Sequence, residues 1–81
     1  MILNDTVNMM NSTGYEDRFC AEYYQTYIRY NKLKAMIYKW DRGMLDFTPT
    51  CPRSTYDFQL SAMQMYLAIL EARAKMEGIE L

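Results

Sequence analysis

Eight residues between positions 19 and 44 fix most of what this chain can become. Phe19, Tyr23, Thr26, Tyr30, Leu33, Ile37, Trp40 and Met44 recur at steps of 4, 3, 4, 3, 4, 3 and 4. That is a helical seam with a period of about 3.5 residues, sustained for several turns. No proline interrupts it, and the nearest glycines, Gly14 and Gly43, stand at its edges. The spacing predicts one long helix over about residues 14–42. At about 1.5 Å per residue its length is on the order of 40 Å. A second seam, Tyr56, Leu60, Met63, Leu67, Leu70 and Ala74, predicts a helix over about residues 53–77.

Punctuation along the chain agrees with two long elements. Asn11, Ser12, Thr13 and Gly14 form a breaker cluster. Thr13 and Glu16 have the spacing of a capping box, and Glu16 with Asp17 suits the positive end of a helix dipole. Gly43 and Gly78 are placed to end the two helices. Pro49 and Pro52 exclude regular helix from the connection at 43–53. Met44, Leu45 and Phe47 in that connection are too apolar for a solvated loop, and the expectation is a plug over the open end of the helix pair. Ser54 and Asp57 offer a cap for the second helix. Residues 1–13 form an arm in which Asp5 is placed to cap a short helix over about 6–11. So short a helix is unstable alone in water and is expected to dock, on its own chain or on a neighbour. The predicted fold is therefore all-α: a single domain, a long antiparallel two-helix hairpin over 14–78 with a short N-terminal helical arm.

Composition adds a constraint on assembly. Of the 81 residues, 51% are apolar and 15% aromatic, more than two helices alone can enclose. Self-association or a large partner surface is the natural way to cover them, so a homo-oligomer is expected. The formal net charge of −1 gives no field for tracking polyanions, which argues against nucleic-acid binding. With no histidine, and with two cysteines outside any CxxC spacing, zinc and a disulfide framework are not expected, and no cofactor is implied. Catalysis is not expected either: there is no imidazole base, no nucleophile elbow and no glycine-rich phosphate loop. No signal-peptide pattern is present and no apolar run is long enough for a bilayer. The expected location is the cytoplasm, of a host cell under the resemblance described below.

One constellation points to ligand chemistry. Beside the first seam runs a flank of Cys20, Tyr24, Tyr27, Asn31, Lys34 and Tyr38, with Arg29 nearby; the matching flank of the second helix reads Gln59, Ala62, Tyr66, Ile69 and Arg73. Phenol rings stack on nucleobases, lysine and arginine meet phosphate, and amides read polar edges. The same residues also suit an interface between copies, with hydroxyls at its rim. Clefts often form where protomers meet, so the two readings are compatible. The eight methionines offer an adaptable surface for a protein partner as a further alternative.

Tyr15-x-x-Arg18, Lys32-Leu33, Leu45-Asp46-Phe47 and the run Gln59-Leu60-x-Ala62-Met63-x-x-Tyr66-Leu67-x-x-Leu70-x-x-Arg73 together resemble a family of small helical proteins of bacteriophages and prophages, crAss-like phages of the gut among them. The resemblance spans about residues 15–75. That family is typically Lys/Glu-rich on its first helix, where this chain carries Tyr23, Tyr24, Tyr27 and Tyr38. In size, helical make-up and Tyr/Lys/Arg-lined flanks the chain is also similar to phage sponges that sequester nucleotide signals of bacterial immunity (CBASS and Thoeris). That similarity leads to the expectation of a phage counter-defence protein holding a cyclic-oligonucleotide or cyclic ADP-ribose messenger in clefts between protomers. The candidates to hold it come from the flanks themselves, not from the resemblance: Tyr24, Tyr27, Arg29, Asn31, Lys34, Tyr38, Gln59, Tyr66 and Arg73. Alternatives are a direct inhibitor of a host defence protein, of the anti-CRISPR kind, and a structural phage protein without ligand.

Overall fold

A computed structural model describes all 81 residues, Met1–Leu81. All the regular structure is helical, with no strand: a 3-10 turn at Leu3–Thr6 runs into α1 (Val7–Met10), followed by α2 (Tyr15–Asp41) and α3 (Arg53–Glu77). None of these helices is long and apolar enough to cross a membrane.

The seam of α2 faces inward. Each of its eight members except Met44 is buried or half-buried, and so is every member of the α3 seam. Phe19, Tyr23, Leu67, Leu70, Ala74 and Ile79 form the buried cluster. Its members come from the first third of α2, the second half of α3 and the tail that follows. Hydrogen bonds join the same regions: the Tyr23 hydroxyl donates to Glu71 at 2.8 Å and that of Tyr15 to Glu77 at 2.7 Å. At the other end Arg53 spans both carboxylate oxygens of Asp41 at 3.1 Å each. The Trp40 and Tyr56 rings meet there edge-on, 5.7 Å between centroids.

Both long helices stop at a glycine in the left-handed region, Gly43 with φ 67° and Gly78 with φ 70°. At each, the amide beyond the glycine closes a wide turn: Ile79 donates to the Ala74 carbonyl and Met44 to the Lys39 carbonyl, both at 2.8 Å. These are Schellman stops. The first puts Ile79 into the core. The second turns the chain back, and Met44, Leu45 and Phe47 lie along α2 beside Lys32, Ala35, Met36 and Lys39. The apolar connection therefore does not plug the end of the helix pair, and Met44 and Phe47 stay exposed.

Three capping expectations are corrected. No capping box forms at Thr13; Gly14 is the N-cap of α2. The Ser12 hydroxyl instead donates to Asp17 at 2.8 Å and accepts the Gly14 amide at 3.0 Å. At α3 the N-cap is Pro52, and Asp57 is engaged by Arg53 at 2.6 Å rather than by the helix start. Asp5 lies within the 3-10 turn, where its carboxylate accepts the Ile2 amide at 2.8 Å, so the arm becomes helical from Leu3. The arm docks on its own α2. The Gln25 amide donates to the Thr6 hydroxyl at 3.1 Å and approaches the Met10 sulfur at 2.6 Å.

Candidate functional site

The inward turn of the seams decides which side chains remain for a ligand. Tyr24, Tyr27 and Asn31 are gathered in one groove of about 420 Å³, with Met1, Ile28, Lys32 and Ala35 completing its walls. Tyr27 is 46% exposed and its ring stacks on that of Tyr23, 5.9 Å between centroids and 20° between planes. Tyr24 meets Tyr23 edge-on at 5.2 Å. The buried Tyr23 thus fixes both outer rings, a preorganised aromatic wall that loses little entropy when something stacks on it.

Lys34 and Tyr38 continue along the same side of α2. The Lys34 ammonium stands 5.2 Å from the Tyr30 ring centre. The Arg42 guanidinium lies over the Tyr38 ring at 3.4 Å, while Tyr38 remains 56% exposed. Rings already sharing cations are suited to planar, charged partners.

The remaining candidates sit elsewhere. Arg29 and Gln59 line a second groove of about 500 Å³, with Leu3, Lys32, Leu33, Met36 and Met63. Arg73 lines a third, smaller recess with Tyr15, Arg18, Phe19 and Glu22. There its guanidinium donates to the Tyr15 hydroxyl at 3.1 Å and pairs with Glu77 at 3.4 Å. The hydrogen bond to Glu77 holds the Tyr15 phenol above its ordinary pKa, with burial adding to the effect. Tyr66 is exposed and borders none of these grooves. Two flanks read as matching on paper therefore fall on opposite sides of the contact between α2 and α3. Tyr24, Tyr27 and Asn31 lie on one side, and Gln59 and Arg73 lie with Arg29, Arg18 and Tyr15 on the other.

The geometry adds residues that lie outside the two flanks. Lys32 borders the Tyr24–Tyr27 groove, the Arg29–Gln59 groove and the recess under the connection, and it makes no ion pair. It stands beside Asn31, off the 3.5-residue stripe, and its signal in the sequence was the Lys32-Leu33 pair. Tyr15 and Arg18 join Arg73 only through the return of α3. Their signal in the sequence was the Tyr15-x-x-Arg18 pattern at the head of α2.

A family model described as Sequestin matches residues 13–76, well over half of the chain. No curated protein and no solved structure matches it.

Proposed function

The chain belongs to the Sequestin family, and from that premise we propose that it sequesters a small ligand stoichiometrically, without turning it over. The ligand class is a nucleotide second messenger of bacterial immunity, of the cyclic-oligonucleotide or cyclic ADP-ribose type, and the setting is phage counter-defence in the host cytoplasm. The family name supports sequestration. The observation that carries the ligand class is the Tyr24–Tyr27 wall, held in place by Tyr23 and opening on a groove of about 420 Å³ that Lys32 also borders. That volume suits one nucleotide unit, and stacking on a fixed phenol contributes roughly 1–3 kcal/mol per base. Lys32 and Lys34 supply charge for phosphate and Asn31 a polar contact. The two helices act as an antiparallel hairpin that works as a homo-oligomer. Arg29, Gln59 and Arg73 lie away from the tyrosine wall, so a cleft between copies is the arrangement that uses both surfaces.

Isothermal titration of the purified protein against cyclic di- and trinucleotides and cyclic ADP-ribose isomers tests this. One of them is expected to bind at a fixed ratio, and Tyr27→Ala to weaken it by about 10-fold or more, the loss of one stacking contact. Absence of binding across the panel would discard the reading.

A further inference from the structure

The outer side of α3 carries a third stripe. Phe58, Ala62, Met65, Ile69, Ala72 and Met76 follow one another at steps of 4, 3, 4, 3 and 4, and all are exposed. The four large ones are 77%, 67%, 51% and 81% exposed in that order. At about 200 Å² per large side chain they present on the order of 500 Å² of mostly apolar surface. Two such faces together reach the ~1,000 Å² that a specific interface needs. α3 is thus apolar along two lines: one meets α2, and nothing in this chain covers the other.

The order of side chains in this stripe is self-complementary. It is symmetric about position 67. Turned end for end onto itself, it sets Phe58 against Met76, Ala62 against Ala72, and Met65 against Ile69. Every layer then faces a residue of comparable bulk, in the register of an antiparallel coiled coil. Antiparallel helices also oppose their dipoles favourably. The edges are compatible as well. On one, Ser61 faces Lys75, Ala68 faces its own copy, and Asp57 lies on the same side as Lys75. On the other, Gln59 faces Arg73 and Tyr66 faces Tyr66. No like charges are opposed.

We infer that a second copy of this chain docks antiparallel on the outer face of α3, so that Gln59, Tyr66 and Arg73 of both copies form one continuous row. The row has a pair of tyrosines at its centre and on either side the Arg73 guanidinium, which Glu77 of its own chain engages at 3.4 Å; Arg18 and Arg29 of each α2, on the same side of the molecule, add positive charge that makes no ion pair. Its chemistry suits a planar anionic ligand, and half of it comes from each copy. The inference rests on the reading that copies assemble but not on the identity of any ligand.

The test reads mass and cross-linking with no ligand present, so its failure is separable from a failure to bind nucleotides. Sedimentation at micromolar concentration is expected to find the unaltered chain as a dimer or a multiple of one. Ile69→Glu is expected to halve the mass while far-UV circular dichroism stays helical. In a background with Cys20→Ser and Cys51→Ser, Phe58→Cys chains mixed with Met76→Cys chains should form a disulfide on mild oxidation. Phe58→Cys chains alone should not, because their sulfurs lie about 27 Å apart along the helices at 1.5 Å per residue. A single-subunit mass for the unaltered chain, an unchanged mass for the Ile69→Glu chain, or self-linking of Phe58→Cys overturns the arrangement.

Discussion

At Tyr23, burial and a carboxylate act on the same phenol. Burial comes first and the hydrogen bond to Glu71 second, and together they push the pKa from 10.0 up to about 12. The folded chain therefore holds this proton more tightly than the unfolded chain does. The resulting stability is fully present below about pH 10 and is lost as pH rises towards 12. The slope across that window is at most about 1.4 kcal/mol per pH unit for one group. Tyr23→Phe should flatten the alkaline limb of a urea-stability profile and remove a step near pH 12 from the ultraviolet phenolate titration. An unaltered profile would show that another group is responsible. Leu70, fully buried in the same cluster, sets a second expectation. Leu70→Ala removes a packed side chain from a core of six residues and should cost about 2–5 kcal/mol, enough to unfold much of a chain this small. Thermal melting by circular dichroism measures it.

At the level of elements, the all-helical make-up was legible because heptad spacing is a strong signal. A stripe repeated for several turns can bury itself only on a helix, and the residues of both seams do turn inward except Met44, which lies beyond the end of α2. Helix starts were less legible. Thr13 and Ser12 are chemically alike, and only the path of the backbone into α2 decides that Ser12 binds Asp17 while Gly14 becomes the cap. The site was legible in part. Tyr24, Tyr27 and Asn31 share a groove because they share one face of one helix, which spacing reveals. Pairing that face with Gln59 and Arg73 needed the rotation of α3 about its own axis, which no single-helix pattern carries. Gly78 gives an element-scale prediction. Its φ of 70° lets Ile79 reach the core, so Gly78→Ala should cost on the order of 1–2 kcal/mol. Denaturant unfolding reads the loss.

Across the whole molecule, packing is uneven. The radius of gyration is 15.0 Å, against about 12 Å for a compact chain of this length, and only nine residues are buried. Six of those nine belong to the cluster near the start of α2 and the end of α3. The opposite extremity has Ile37 buried, with Trp40 and Tyr56 half-covered and the exposed Arg53–Asp41 pair closing it. Such a pair weakens as salt rises. Opening is therefore expected to begin at the connection. Emission from Trp40 should change at lower denaturant than helical circular dichroism, and the gap should widen in high salt; superimposed curves would refute it. Because the chain has a single tryptophan, its indole is a gauge mounted on the looser tip of the rod. Fluorescence melts of variants made near the tight tip will understate the damage, and those made near the connection will exaggerate it.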